Sequence, residues 1–399
     1  MCPSSSKRAD LLNKIPNIIV TLAKMLREMG YHVYLAGGSV RDLLEGKMPN
    51  DWDIVTDAPL ELVEKILHDL GIVPEWRGLE HPSLRFIIDN YQVDIASMRK
   101  IVEENTAVPY LEPTSNPVED AYARDFTINA LLLMLPEGEL IDAVNGLRDL
   151  ERRILHPCSE VGMLLEPGRV LRALRFLAEK NMRPSRELVE LVQKYAPHIL
   201  RLPRGKIREE IEKMIEKKIL SKVLRLADQL GILEQLFPEL GEAKYIRHRS
   251  WGHHHGETLL EHIVESLERM EKLNMELSRD ELLLLTLAVL VHDLGKIDTY
   301  LTRGNFIGHE HELKRARTLL ERLGFSESVI GKVLYLARTH MTLHRIRENV
   351  ETPSELARQV LALAGGDIKL ASMMLLLAYA DSGDRTYLEA YRSLIGLGT

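Results

Sequence analysis

A short apolar run, Val33–Ala36, stops at Gly37-Gly38 and is followed by a helix-like stretch, Val40–Leu44. A second run, Asp51-Trp52-Asp53-Ile54-Val55-Thr56, follows almost at once. That succession constrains the fold more than anything else in the chain. The alternation and β-branched content of the second run predict a strand, so strand, turn and helix interleave and the first third is no helical bundle. Residues i and i+2 of a strand share a face, which sets Asp51 and Asp53 on one side and Trp52 and Ile54 on the other. Adjacent carboxylates repel unless a hard cation such as Mg2+ lies between them. Further strands are expected at Leu84–Asp89 and Tyr91–Met98, where Val93-Asp94-Ile95 offers Asp94 as a third metal ligand. A helix is expected over Leu11–Met29, and Pro109, Pro113 and Pro117 mark Lys100–Glu119 as an extended loop. Taken alone, Gly-Gly after a strand is compatible with a plain turn, and Asp-x-Asp with a solvated one.

Beyond about residue 140 the texture turns helical, with Pro167–Asn181, Ser185–Tyr195, Arg204–Glu216 and Ser221–Leu230 punctuated by Pro184, Pro203 and Gly231. The expected division of the 399 residues is 1–140, 141–247 and 248–399. Net charge is −7, yet Leu147–Gln229 carries 19 basic against 12 acidic side chains. A basic segment between acidic ends can bind a polyanion through its local potential. Only Cys2 and Cys158 are present, which excludes a disulfide scaffold or a cysteine-rich zinc ribbon. The opening MCPSSSKRAD lacks the apolar core of a signal peptide, and the aliphatic run Leu282–Val291 is too short to span a bilayer; a cytoplasmic protein is expected.

Four motifs recur in order: Tyr34-Leu-Ala-Gly-Gly-Ser-Val-Arg41-Asp42, Asp51-Trp-Asp53-Ile-Val-Thr56, Arg124-Asp125-Phe-Thr-Ile-Asn129-Ala-Leu131, and Arg169-Val-Leu-Arg172-Ala-Leu-Arg175-Phe176. Asp142…Gly146…Asp149-Leu150 and Leu202-Pro-Arg204-Gly-Lys-Ile-Arg208 extend the series. Their order and spacing resemble the class II tRNA nucleotidyltransferases (CCA-adding enzymes) and the related bacterial poly(A) polymerases. The resemblance implies an α+β, polymerase-β-like head, a small mixed sheet with helices, followed by an all-helical neck and body. It also implies roles. Gly37, Gly38 and Arg41 would hold the triphosphate, with Asp51 and Asp53 as catalytic residues binding two Mg2+ ions. Arg124 and Asp125 would contact triphosphate and ribose. Arg169 would read the edge of the incoming base, assisted by Glu166 and Arg172.

The sequence departs from the family in two places. Leu165-Glu166-Pro167-Gly168-Arg169 stands where Glu-Asp-x-x-Arg is usual, so the carboxylate beside the base-reading arginine is one methylene longer. Ala123 stands where a further arginine is common, removing one phosphate contact. The segment Lys100–Glu119, linked in the family to switching from C to A addition, is of ordinary length, which argues against an enzyme limited to CC. Arg169, Arg172 and Arg175 recur every third residue and are equally compatible with a solvated basic face.

Ten of the 15 histidines lie between His248 and His344. His262, the pair His292-Asp293 after a buried apolar run, and Asp381 resemble the HD superfamily of metal-dependent phosphohydrolases. Imidazoles with carboxylates suit a transition metal that keeps open positions for water. His309 and His340 match additional histidines of some HD proteins and offer a second metal site or a phosphate contact. His253-His254-His255 reads as a loop near that site. The resemblance implies a helical HD domain hydrolysing cyclic phosphate or phosphomonoester ends.

The expected function is therefore template-independent addition of CCA, or its terminal A, to tRNA from CTP and ATP. Arg204, Lys206 and Arg208 lie on the basic segment expected to bind RNA, where duplex is read by shape, phosphate and 2′-hydroxyl. A poly(A) polymerase shares the catalytic motifs. A hydrolase with a degenerate transferase head and a non-catalytic RNA-binding protein are the other readings.

Overall fold

The computed structural model describes residues 10–78, 81–103, 109–247 and 257–396. The chain forms two compact units, Met1–Arg169 with Asn181–Tyr195, and Val170–Lys180 with Ala196–Thr399.

The first unit is built on a mixed sheet. Helix α1 (Asn17–Glu28) leads into β1 (Val33–Leu35), α2 (Gly37–Leu44), β2 (Asp51–Thr56) and α3 (Leu60–Asp69). Strands β3 (Glu75–Arg77), β4 (Ser83–Ile88) and β5 (Tyr91–Ser97) follow, and β8 (Leu132–Leu135) and β9 (Leu140–Ile141) complete a sheet of order β3-β4-β5-β2-β1-β8-β9. The β2–β5 pair is parallel, and its neighbours are antiparallel.

Strand alternation sorts the two faces. Trp52, Ile54, Val93 and Ile95 pack in one core with Ile19, Leu22 and Leu26 of α1 and Val63, Ile66 and Leu67 of α3. Burying each such side chain is worth roughly 1.5–3 kcal/mol. That anchoring fixes the register and turns Asp51, Asp53 and Asp94 to the opposite face.

Two expectations change. The main N-terminal helix begins at Asn17 rather than near Leu11, because Pro16 caps it and the residue before a proline is steered away from helix. The segment Lys100–Glu119 is not a plain loop. Strand β6 (Arg99–Val102) pairs antiparallel with β7 (Tyr110–Pro113), and α4 (Pro117–Ala123) follows. Pro113 ends an edge strand and Pro117 takes the first helical position, where a missing N–H costs nothing. Helices α5 (Gly146–Arg152), α6 (Glu160–Leu165), α7 (Arg169–Lys180) and α8 (Arg186–Tyr195) come next.

The second unit is helical. It holds most of α7, then α9 (Arg204–Glu216), α10 (Leu220–Gln229), α11 (Leu233–Leu236), α12 (Leu259–Glu271), α13 (Arg279–Val291) and α14 (Gly295–Arg303). Helices α15 (Lys314–Arg322), α16 (Glu327–Glu348), α17 (Pro353–Leu363), α18 (Ile368–Ser382) and α19 (Thr386–Gly396) complete it. Capping boxes start α12 (Thr258 with Glu261) and α13 (Ser278 with Glu281), setting the phase that aims their histidines. Helix α13 is buried continuously from Leu284 to Val291, which explains its apolar run.

Candidate active sites

In the first unit, Gly37 opens α2 with φ at +62°, and a Cβ there would lie 2.7 Å from Asp53 Oδ2. Only glycine accommodates both the left-handed backbone and that approach. Ser39 fastens the turn to the acidic strand: its Oγ donates to the Asp51 carbonyl at 3.1 Å and accepts from the Asp53 N–H at 2.8 Å. The N-terminus of α2 is thereby held beside Asp53, a geometry suited to an anion. Asp51 is exposed and Asp53 half-buried on the same face, hard oxygen donors that fit Mg2+. Asp94 stands opposite Asp53 in the parallel register. Its oxygens accept from Arg85 Nε at 2.7 Å, Arg85 Nη2 at 3.2 Å and Gln92 Nε2 at 2.8 Å. A ligand role for Asp94 would require that guanidinium to withdraw.

Buried Arg41 donates through Nη1 to Asn129 Oδ1 at 2.6 Å and through Nε and Nη2 to Asp42 Oδ1. Asn129 Nδ2 in turn donates to Asp125 Oδ1 at 3.2 Å, which also accepts from the Phe126 N–H at 2.7 Å. Arg124 is held by Asp120 Oδ2 at 2.8 Å, and the other oxygen of Asp120 accepts from the Arg99 N–H at 3.0 Å. Ser39 thus ties α2 to β2, and Arg41 ties α2 through Asn129 to Asp125 in the turn after α4.

Arg169, expected at a base edge, is only 7% exposed. Nη1 and Nη2 donate to the carbonyls of Arg124 and Ala123 at 2.6 and 2.8 Å, and Nε to Glu166 Oε2 at 3.3 Å. Its fork therefore holds the backbone leading into Asp125. Glu166 itself is exposed. In the second unit Arg172 is half-buried, and Arg175 pairs with Glu210 at 2.8 Å and Glu179 at 3.4 Å while lying over the Phe176 ring. Arg204 and Lys206 are exposed on α9; Arg208 donates to the Gly324 carbonyl at 3.2 Å. His253-His254-His255 lies outside the described residues.

The histidines of the second unit converge. Ligand atoms of His262, His292, Asp293 and Asp381 lie within 4.8 Å of one another, as do those of Asp293, His309 and His340. Asp293 belongs to both groups. His262 Nε2 is 3.2 Å from Asp293 Oδ2 and 3.0 Å from Asp381 Oδ1, whereas His309 Nε2 is 3.0 Å from Asp293 Oδ1. Lys296 Nζ reaches Asp293 Oδ2 at 2.6 Å. Gly295 allows the close fit of the His309 turn, since a Cβ there would be 2.1 Å from the His309 carbonyl.

Tautomers indicate what the centre is for. Nδ1 of His292, His309 and His340 each faces the carbonyl three residues earlier, at 2.8, 2.8 and 2.5 Å. Those contacts put a proton on Nδ1 and point Nε2 inward as a base, the arrangement of metal-binding histidines. His309 Nε2 and His340 Nε2 face each other at 3.1 Å, and His292 Nε2 is a buried atom without a hydrogen bond. Burial opposes charge on His292, yet the carboxylates of Asp293 and Asp381 push its pKa up to about 10. Burial also opposes charge on those carboxylates, but the cations around them hold both well below the usual range. For His340 burial wins and its pKa falls. Without an ion the centre thus balances buried carboxylates against histidine protons, and once those protons leave the donor set fits a transition metal.

Three sequence families match this chain in order: the poly A polymerase head domain over residues 33–156, the probable RNA and SrmB-binding site of polymerase A over 181–244, and the HD domain over 259–371. The chain thus carries a poly A polymerase head domain and an HD domain in one polypeptide. Among its relatives, poly(A) polymerase I of Haemophilus influenzae is 29% identical over 235 residues, 55% of this chain and 51% of that protein. The A-adding tRNA nucleotidyltransferase of Aquifex aeolicus is 33% identical over 215 residues, 51% of this chain but 25% of that protein. The matched stretch spans about half the length of the curated poly(A) polymerases. The fold is that of the Thermotoga maritima CCA-adding enzyme complexed with tRNA, with a TM-score of 0.69 at 22% identity, covering 100% of this chain and 87% of that one. Among the described residues no helix is long and apolar enough to cross a membrane.

In the head, Ser39, Arg85 and Asn129 stand beside the expected residues without having been expected there, as do Lys296, His344 and Tyr387 in the HD domain. Two of these carried a signal. Asn129 lies four residues after Asp125, and His344 four after His340 on the same helix face.

Proposed function

We propose that the chain extends RNA 3′ ends without a template, completing CCA or its terminal A on tRNA from CTP and ATP. The observation that carries this reading is the Gly37–Asp53 contact, with Asp51 on the same strand face. In this reading the α2 N-terminus and Arg41 bind the triphosphate, and Asn129 orients Arg41 and Asp125 towards phosphate and ribose. Arg169 fixes the backbone of Arg124 and Asp125, while Glu166 and Arg172 act at the base. Mg2+ held by Asp51 and Asp53 would activate the RNA 3′-hydroxyl and neutralise the leaving pyrophosphate. Positioning is then most of what the protein supplies. Arg204 and Lys206, exposed on α9, together with Arg208 are the proposed tRNA contacts. The functional regions are proposed to divide at residues 140 and 247.

The HD domain is proposed as a metal-dependent phosphohydrolase acting on RNA or nucleotide phosphate ends. His262, His292, Asp293 and Asp381 would hold one ion, and Asp293, His309 and His340 a second. The bound ions would supply an activated water, and Lys296 a cation beside Asp293.

The deciding assay offers labelled tRNA lacking CCA, ending in C or ending in CC, with CTP and ATP supplied separately. Ordered addition that stops after the terminal A supports the proposal. Long A tracts on unrelated RNA would identify a poly(A) polymerase instead. Incorporation surviving in Asp53→Ala would sink the transferase assignment.

A further inference from the structure

We infer that His344 and Tyr387 are positioning residues that aim Asp381 at the HD metal, a reading that rests on the metal centre proposed above. Asp381 uses its two oxygens differently. Oδ1 faces His262 Nε2 at 3.0 Å and His292 Nε2 at 3.5 Å, inside the first ligand group. Oδ2 turns outward and lies 2.7 Å from His344 Nε2. A carboxylate can only accept, so the proton of that bond is on Nε2 of His344. His344 therefore has the tautomer opposite to that of His292, His309 and His340. It is a donor to a ligand, not a ligand.

Tyr387 keeps it so. Its hydroxyl is 3.0 Å from His344 Nδ1 and 3.4 Å from the Leu343 carbonyl, and the ring is 1% exposed. The hydroxyl has a single proton; directed along the shorter contact, to Nδ1 at 3.0 Å rather than to the Leu343 carbonyl at 3.4 Å, it leaves the imidazole proton on Nε2. The chain runs from α19 through α16 to α18, so three helices fix one carboxylate. With Oδ2 engaged, Asp381 presents Oδ1 alone to the metal. Such outer partners typically change metal affinity 10–100-fold. The second group of Asp293, His309 and His340 does not contain Asp381, so the effect is confined to the first.

The test titrates Co2+ into chelator-stripped full-length protein, following visible absorption and heat. His344→Leu removes the donor, and we expect a 10–100-fold loss of affinity for one class of site, with altered absorption bands. His344→Gln restores an amide N–H towards Asp381 and should recover affinity to within a few-fold. Tyr387→Phe keeps the packing and should fall between wild type and His344→Leu. His309→Ala should affect the other class only. Wild-type affinity and spectrum in both His344→Leu and Tyr387→Phe would overturn the inference while leaving the metal centre standing. If His344→Leu does not fold, the glutamine and phenylalanine variants carry the same comparison. Failure of wild type to bind Co2+ more tightly than His292→Ala would reject the metal centre, and this inference with it.

Discussion

Arg41 and Asn129, 88 residues apart in the chain, meet in a buried 2.6 Å hydrogen bond from Nη1 to Oδ1. The same amide donates to Asp125, so one side chain aligns two groups proposed to grip the nucleotide. Asn129→Ala should raise KM for CTP and ATP at least tenfold. It should also cost about 1–3 kcal/mol of stability, because Arg41 would lose a buried acceptor. Steady-state kinetics and urea unfolding measure the two effects; an unchanged KM would separate Asn129 from nucleotide binding.

The Gly37 turn makes a sharper demand. Gly37→Ala should abolish most incorporation, since its Cβ would sit 2.7 Å from Asp53 Oδ2 at a φ of +62°. A stability comparison is available in Gly205→Ala, where the added Cβ meets nothing within 4 Å. That change should stabilise by up to about 1 kcal/mol through the unfolded chain. Normal nucleotide transfer by Gly37→Ala would show that the acidic strand tolerates displacement.

Arg169 should matter to folding through the backbone it holds. Lysine cannot span the carbonyls of Ala123 and Arg124, so Arg169→Lys should lose about 2 kcal/mol in denaturant unfolding. A variant as stable as wild type with altered CTP/ATP preference would assign the arginine to the base alone.

Acid should release one brace of α7. Glu210 is largely buried, which opposes its charge, but Arg175 and Lys213, each at 2.8 Å, hold its pKa below the ordinary 4.5. A depressed carboxylate pKa contributes stability that is fully present above the unfolded value and lost as pH falls through the folded one. Wild type should therefore lose stability below about pH 4.5 more steeply than Glu210→Gln, read from thermal midpoints across that range. Parallel profiles would remove Glu210 from the account.

Chelation should loosen the HD domain. Stripping metal with EDTA leaves Asp293 and Asp381 to be balanced by histidine protons and Lys296 alone, so the thermal midpoint should fall and recover on adding Mn2+ or Co2+. His292→Ala should show the smaller shift. Equal midpoints with and without chelator would count against a bound ion.

The strand Asp51–Thr56 and the helix Arg204–Glu216 were readable to the residue, because local spacing of apolar side chains sets both. The Lys100–Glu119 segment was misread for the opposite reason. Prolines punctuate a strand end and a helix start as readily as a loop, and only pairing between β6 and β7 tells them apart. The clustered histidines and aspartates of the HD domain were legible as residue types in order, yet nothing in their spacing assigns a tautomer.

By itself the sequence determined which residues alternate into a core and which carboxylates, glycines and histidines stand at the ends of its elements, since both follow from local periodicity. Only the tertiary structure decided their partners: Arg169 on backbone carbonyls, Asp94 on Arg85, Asp381 on His344. Such pairings are set by helices and strands distant in sequence meeting in space. The chemistry of a buried charge depends on that meeting, because each unpaired polar atom there costs more than any local propensity contributes.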